Sequence, residues 1–176
     1  MTQPPAGGAP GPPLTIEFIS QLNRQLGADL PNNGVASGRP RGPGDQDVSA
    51  GGNFMRSYVP SVLVPPALVD FVGWFNGAEA SMHPIQLAAQ SYQRLVSIHP
   101  FADANGRTCR MVMDWILRRH NLPPAALQGG EVNVAVFGMG DAMGSGGANH
   151  DADHAVRMVT QGIERTINIL STAVRT

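Results

Sequence analysis

The chain contains no lysine, and all twelve of its cationic side chains are arginine. Lysine is among the commonest residues of ordinary domains, so its absence needs a cause. A GC-rich genome is one explanation, because it also favours glycine, proline, alanine and arginine codons. Action inside a eukaryotic host is the other, because a chain without lysine avoids ubiquitin attachment. The expected location is therefore the cytoplasm, or the cytosol of a host cell into which the protein is secreted.

Three further scarcities exclude classes of protein. Cys109 is the single cysteine, so no internal disulfide can form and a reducing compartment is favoured. Charged residues make up only 14% of the chain and the net charge is −1, which argues against nucleic-acid binding. The apolar run Val62–Val72 is too short to cross a membrane and is interrupted by proline. The N-terminus lacks the basic start and apolar centre of a secretory signal.

Glycine and proline are abundant by contrast, at 21 and 15 residues. They concentrate in the first 66 residues and again in 129–147. Such composition is typical of flexible segments. The sequence therefore predicts a flexible N-terminal segment over residues 1–45 and one domain over residues 46–176, a length that can bury an adequate core.

The densest concentration of reactive side chains is the run His-Pro-Phe-Ala-Asp-Ala-Asn-Gly-Arg-Thr-Cys-Arg at 99–110. Apolar residues recur at spacings of three and four from Ile85 onward, which predicts a helix that ends at His99 before Pro100. An imidazole with an ordinary pKa of about 6.5 can accept a proton near physiological pH. His99 is therefore a candidate general base held at the end of a packed helix.

A second helix is predicted to start near Asn105, because asparagine is a favoured N-cap, and to end before Pro123. Free amides at a helix start bind anions, and Gly106 lets the backbone approach a ligand closely. Arg107 and Arg110 lie three residues apart, and their guanidinium groups suit phosphate oxygens. Asp103 precedes them, where a carboxylate can hold Mg²⁺ against phosphates. Each residue alone has an ordinary structural explanation, but their order and spacing together favour a nucleotide site.

This run resembles the signature of the Fic family, His-x-Phe-x-[Asp/Glu]-[Gly/Ala]-Asn-[Gly/Lys]-Arg-x-x-Arg, at every position. The resemblance implies an all-α fold, a helical bundle with a short flap before the core helices. It implies His99 as the base that deprotonates a target hydroxyl, Asp103 as the Mg²⁺ ligand, and a phosphate nest shaped by Asn105 and Gly106. Arg107 and Arg110 would bind the outgoing phosphates, and Phe101 would be a buried anchor.

The resemblance implies transfer of AMP from ATP to a Ser, Thr or Tyr side chain of another protein. UMP transfer from UTP by the same residues, as in a bacterial effector acting on host proteins, is the first alternative, because the motif reads phosphates and metal rather than the base. We expect base contacts within residues 127–139. Other family members transfer phosphocholine or a terminal phosphate. An alternative of another class is a Fic-fold binding module that no longer catalyses.

The target protein is expected to dock along the flap, which the resemblance places at about residues 58–69. In the family this flap is a hairpin that receives a target segment as an added strand. Gly52–Arg56 resembles the Gly-x-x-Arg region before the flap, with one extra residue. The short flap and its prolines keep the binding-module alternative open.

Self-inhibition is a further question that the resemblance raises. Many Fic proteins carry the motif [Ser/Thr]-x-x-x-Glu-[Gly/Asn], whose glutamate pairs with the second motif arginine. The nearest segment here is Thr160–Arg165, which ends in arginine. Apolar residues around Glu164 predict instead a core face of a C-terminal helix: Val156, Val159, Ile163, Ile167 and Leu170. The favoured expectation is constitutive activity or restraint by a separate inhibitory protein.

Overall fold

The computed structural model describes residues 11–28, 38–48, 58–128 and 148–174. Within these ranges the chain forms five α-helices and no strand: α1 (Ile16–Gly27), α2 (Val64–Ala78), α3 (Pro84–Ile98), α4 (Asn105–Arg119) and α5 (Ala148–Ala173). A short 3₁₀ turn, Ser61–Leu63, leads into α2. The all-α prediction is confirmed.

Helix α3 lies at the centre of the bundle, where it packs against α2, α4 and α5. His83 caps its start by accepting a hydrogen bond from the Ile85 amide, and Pro84 occupies the first turn, where a missing amide hydrogen costs nothing. The buried residues of α3 are Leu87, Ala88, Ala89, Ser91, Tyr92, Gln93, Leu95, Val96 and Ile98. Burial on several sides makes this helix a rigid support for the residue that follows it, His99.

Helix α4 packs along α3 and buries Cys109, Val112, Met113, Ile116 and Leu117. Cys109 is only 1% exposed and unpaired, and burial raises the pKa of its thiol. The observed bounds of α3 and α4 agree with the two helices predicted on either side of the motif. The motif therefore joins the end of one buried helix to the start of another.

The N-terminal part of the chain differs from its prediction. Within the stretch expected to be flexible, Ile16–Gly27 form helix α1, which packs against α4 and α2. The Thr15 hydroxyl caps it by accepting from the Phe18 amide, and Ile19 is fully buried beneath it. The prediction of flexibility rested on the glycine and proline content, which is high only on either side of this helix. It is wrong for α1, whose apolar face packs against the core.

The predicted flap is also different. A small hairpin over 58–69, which the prolines of this segment disfavour, is not formed, since Ser61–Leu63 form a 3₁₀ turn and Val64 already belongs to α2. Proline is tolerated in the first turn of a helix, so Pro65 and Pro66 start α2 rather than bend a strand. Inward-facing apolar residues then recur at helical spacing: Val64, Leu68, Phe71 and Phe75. Gly52–Arg56 lie outside the described residues.

Helix α5 supports its predicted core face only over its first half. Val159 and Ile163 are buried against the bundle, whereas Ile167 and Leu170 are 48% and 56% exposed. Beyond Ile163 the apolar face of the helix therefore leaves the bundle and continues into solvent. No helix in the described ranges is long and apolar enough to span a membrane.

Candidate active site

His99 directly follows α3 and is held by contacts with neighbouring groups. Its backbone is left-handed, with φ 50° and ψ 60°, an uncommon conformation for a residue with a side chain. The ring nitrogen Nδ1 lies 3.3 Å from the carbonyl oxygen of Val96. The ring of Tyr58 stacks on the imidazole, with centroids 3.6 Å apart and planes inclined by 14°. When Nδ1 donates its hydrogen to Val96, Nε2 retains the lone pair that a general base requires.

The environment of His99 favours its neutral form. Burial lowers the pKa of His99 to about 4, and the nearby Arg41 cation acts in the same direction. The hydrogen bond to Val96 and the Asp103 carboxylate act in the opposite direction and only partly offset the effect of burial on this pKa. The imidazole is therefore unprotonated throughout the physiological pH range.

The lowered pKa of His99 predicts a pH-dependent stability. The pKa of His99 in the fold, about 4, lies below the ordinary value of 6.5. As the pH falls through this window the unfolded chain binds a proton before the folded chain does, so stability is lost. We expect the urea midpoint of the wild type to fall more between about pH 7 and about pH 5 than that of His99→Asn. Equal falls in the two proteins would contradict the prediction.

The loop between α3 and α4 is pinned by the side chain of Asn105. Its Oδ1 accepts a hydrogen bond from the Phe101 amide and its Nδ2 donates to the Phe101 carbonyl, each at 2.8 Å. Asn105 was predicted to be the N-cap, but Ala104 occupies that position in a left-handed conformation without a capping side chain. Phe101 is 1% exposed, which confirms its predicted burial. The loop is therefore fixed from within, by Asn105 and Phe101.

The start of α4 is open toward solvent. No side chain caps it, and the amides of Asn105, Gly106 and Arg107 have no acceptor among the described residues. A Cβ added to Gly106 would meet no atom within 4 Å, so packing within the protein does not require glycine there. Arg110 is exposed and Arg107 half-buried. Free amides and two arginines thus lie within the first two turns of α4, which makes its open start a suitable anion site.

Neither motif arginine forms an ion pair within the described ranges, although the Arg110 cation interacts electrostatically with the Asp114 carboxylate one turn further along α4. Cations close to the positive end of a helix dipole are electrostatically unfavourable. An anionic ligand would remove that cost. Glu164 is exposed on α5 and forms no ion pair with Arg110 in the described structure.

Asp103 supplies the only acidic side chain of the loop. Its Oδ1 accepts from the Ala104 amide, and the carboxylate is exposed beside the start of α4. Among the described residues no group of three or more potential metal ligands exists. A single exposed carboxylate fits Mg²⁺ of the kind that keeps several waters and is shared with substrate phosphates. The donor set therefore suits a metal that arrives with a triphosphate.

Three residues outside the loop between α3 and α4 also hold it in place, and the sequence analysis did not predict them. Asn23 of α1 donates to the Asp103 carbonyl and to the Thr108 hydroxyl, both at 3.0 Å. Tyr58 stacks on His99, and Arg41 hydrogen-bonds the His99 carbonyl. Asn23 had a detectable signal, because it is a polar residue one helical turn after the buried Ile19. Arg41 and Tyr58 sit in glycine- and proline-rich sequence with no periodicity to mark them.

The helical bundle joins a histidine of lowered pKa to an open helix start that carries two arginines. Comparison with known proteins identifies the family. The Fic/DOC family model matches residues 13–117, and the chain belongs to this family. The match starts before α1, in agreement with the packing of that helix onto the core.

Similar proteins include both kinds of nucleotidyltransferase. A uridine 5′-monophosphate transferase of Xanthomonas campestris is 40% identical over 124 residues, which cover 65% of this chain and 23% of that protein. A protein adenylyltransferase Fic of Culex quinquefasciatus is 39% identical over 94 residues, or 48% of this chain and 19% of that protein. The chain thus spans about a fifth of the length of these relatives.

The fold has solved counterparts. A Fic domain containing signaling protein of Bacteroides thetaiotaomicron superposes with a TM-score of 0.71 at 25% identity, over 89% of this chain and 61% of that one. The likeness covers nearly the whole chain, so the helical bundle and not only the motif is shared.

Proposed function

We propose that this chain transfers a nucleoside monophosphate, AMP from ATP as the leading candidate, to a Ser, Thr or Tyr hydroxyl of a target protein. The observation that carries the proposal is the junction of α3 and α4. It joins His99, whose Nδ1 faces the Val96 carbonyl, to a helix start whose amides have no acceptor and whose arginines form no ion pair among the described residues. A base next to an anion site is what transfer of a phosphorus group to a hydroxyl requires.

The transfer can be written with the residues of the α3–α4 junction as follows. Nε2 of His99 takes the proton of the target hydroxyl, and the oxygen attacks the α-phosphorus. The bond from the α-phosphorus to the bridging oxygen breaks, and pyrophosphate leaves. The α4 amides, Arg107 and Arg110 bind the outgoing phosphates, which carry the developing charge. Asp103 would hold Mg²⁺, which neutralises phosphate charge when bound.

UMP transfer from UTP is the second candidate. A uridine 5′-monophosphate transferase matches over 124 residues at 40% identity, and a protein adenylyltransferase Fic of Drosophila ananassae matches over 123 residues at the same identity, so both candidates have relatives of equal similarity. The motif side chains contact phosphates in either case and do not distinguish the bases. Residues 129–139, in the range expected to contact the base, lie outside the described ranges.

The target is proposed to dock over residues 58–69, which form the segment before α2 and its first two turns. The Val59 amide bonds to the Ser97 carbonyl, so this segment lies beside the end of α3 and His99. Val62, Leu63 and Val69 are 56%, 53% and 59% exposed there, an apolar surface of the kind that binds proteins. Glu164 is exposed and does not reach the site, so any inhibition of the transfer reaction would come from a separate inhibitory protein or from residues outside the described ranges.

Labelling with radioactive triphosphates tests the proposal. The protein and its His99→Asn variant are incubated with Mg²⁺, cell lysate and each of the four nucleoside triphosphates, labelled at the α-phosphate or at the γ-phosphate. We expect an α-label on a protein band with the wild type alone, and the productive triphosphate decides between AMP and UMP. A γ-label would indicate terminal-phosphate transfer instead. Nucleotide binding without any label would favour the binding module.

Gly106→Ala is expected to weaken binding of the triphosphate without destabilising the fold. Alanine is a better helix former by about 1 kcal/mol, and the added Cβ meets no protein atom within 4 Å, so stability should be unchanged or raised. The same Cβ stands where the phosphates approach the α4 amides. We expect the KM for the triphosphate to rise about tenfold, measured by initial labelling rates. Gly73→Ala, with equally open space inside α2, is the matched control.

A further inference from the structure

Arg41 is a buried cation in the segment 38–48, which passes beside the end of α3. Its side chain is 3% exposed. Its guanidinium donates to the His99 carbonyl from Nε at 3.0 Å and from a terminal nitrogen at 2.8 Å. The same terminal nitrogen donates to the carbonyls of Val59 at 3.0 Å and Ile98 at 3.3 Å. The Arg41 amide donates to the Pro100 carbonyl at 2.6 Å. Arg41 thus donates to four carbonyl groups around the candidate base. Three of them belong to consecutive residues at the end of α3, and the fourth belongs to Val59.

These donors replace those that a helix end ordinarily supplies. The last carbonyls of a helix lack partners within the helix, and backbone amides just beyond it commonly satisfy them. Here the residue after the His99 cap is Pro100, which has no amide hydrogen. A cation at the C-terminal end of α3 also complements the helix dipole. Arg41 therefore caps α3 from a segment that lies 58 residues earlier in the chain.

The contact acts on the conformation of His99 in particular. A left-handed backbone at a non-glycine residue persists only where its surroundings hold it. The backbone dihedral angles determine which side-chain rotamers are allowed, and so where the imidazole points. Two of the four carbonyl groups belong to Ile98 and His99, and they lie on either side of the left-handed Cα of His99. Loss of Arg41 would free His99 to relax away from this conformation.

We propose that Arg41 is the positioning residue for the general base: its hydrogen bonds to the carbonyls of Ile98, His99 and Val59 fix the imidazole in the orientation that proton removal requires. This inference rests on the proposed function of His99. Arg41 itself does not contact the reactants. Its contribution is to orient the base, and it should therefore affect the chemical step rather than nucleotide binding.

Arg41→Met, which keeps the apolar stem and removes the donors, tests the proposal. We expect kcat for nucleotidyl transfer to fall about 100-fold, because a displacement of about 1 Å can cost that much. The KM and Kd for the triphosphate should stay within about threefold of wild type, since the phosphate site on α4 is untouched. Arg39→Met is the matched control, because Arg39 lies two residues away in an exposed pair with Asp45 and should retain wild-type kcat.

A second measurement does not depend on activity. Nitrogen-15 NMR of the imidazole reports which ring nitrogen carries hydrogen, and the His99 signal is assigned by its loss in His99→Asn. In the wild type we expect Nδ1 protonated against Val96, and in Arg41→Met a mixture of tautomers. If the wild type transfers no nucleotide, the proposed function fails, whereas the tautomer of His99 still tests the contact with Arg41.

Arg41→Lys covers the case in which the methionine variant does not fold. Lysine keeps the charge but is a point donor that cannot reach several carbonyls in the geometry of the guanidinium fork. We expect it to fold and to show a kcat about tenfold below that of the wild type, between those of the wild type and Arg41→Met. A folded variant, methionine or lysine, with kcat within about threefold of wild type and an unchanged tautomer would overturn the proposal.

Discussion

Replacing His99 by asparagine is expected to lower the rate of nucleotidyl transfer by a factor of about 10² to 10⁴ while the triphosphate still binds. Asparagine tolerates the left-handed backbone that His99 adopts, with φ 50°, so the fold is preserved. Its amide has no basic nitrogen, so the target hydroxyl keeps its proton. The phosphate site at the start of α4 is unaffected. Single-turnover labelling at saturating nucleotide measures the loss, and calorimetry measures nucleotide binding.

His99→Ala separates the chemistry from the conformation. Alanine removes the same base, but at φ 50° it costs roughly 1–2 kcal/mol in backbone strain. It also loses the stacking on Tyr58. We expect the two variants to be equally inactive, with alanine the less stable of the two. If the asparagine variant transferred nucleotide within tenfold of the wild-type rate, His99 would not be the base.

Asn105→Ala is expected to lower the free energy of unfolding by about 2–6 kcal/mol. Its side chain is 4% exposed and satisfies both the amide and the carbonyl of Phe101. Alanine leaves these two backbone groups buried without partners, at roughly 1–3 kcal/mol each. The loop carrying Asp103 also loses its internal support, so labelling should fall as well. Urea unfolding followed by tryptophan fluorescence measures the stability.

Asn168→Ala is the control for that substitution. Asn168 is exposed on α5, and a surface change of this kind usually alters stability by less than about 0.5 kcal/mol. The same residue change should therefore be costly in the loop and neutral on the helix surface. A similar, small effect at both positions would mean that the hydrogen bonds of Asn105 to Phe101 do not stabilise the fold.

The helices beside the site could be predicted because their signals are local. Apolar periodicity along α3 and α4, together with Pro100, Asn105 and Pro123, indicated where α3 ends and where α4 begins and ends, and the structure agrees to within a residue or two at His99 and Asn105. Apolar spacing also identified the buried face of α5. It could not tell where the bundle ends, so Ile167 and Leu170 were expected in the core and are exposed.

The remaining features depend on contacts between distant parts of the chain. Proline is compatible with a bend or with a helix start, so Pro65 and Pro66 alone could not decide between a hairpin and α2. Arg41 pairs with a carbonyl 58 residues away, and no spacing rule marks such a partner. The side chains proposed for the chemistry were recognisable as a motif, whereas those that hold them in place were not.

The burial of Cys109 gives the protein a built-in reporter. It is the only thiol in the chain, it lies between the two motif arginines, and it is 1% exposed where α4 packs on α3. Only the thiolate reacts with disulfide reagents, and a buried thiol reacts only when the structure around it opens. Each modification therefore requires an opening of the helix pair that frames the proposed nucleotide site, and its rate reports the open fraction when the structure recloses faster than the thiol reacts. The kinetics of thiol exchange thus measure the local opening free energy of this site, without a mutation or an added probe.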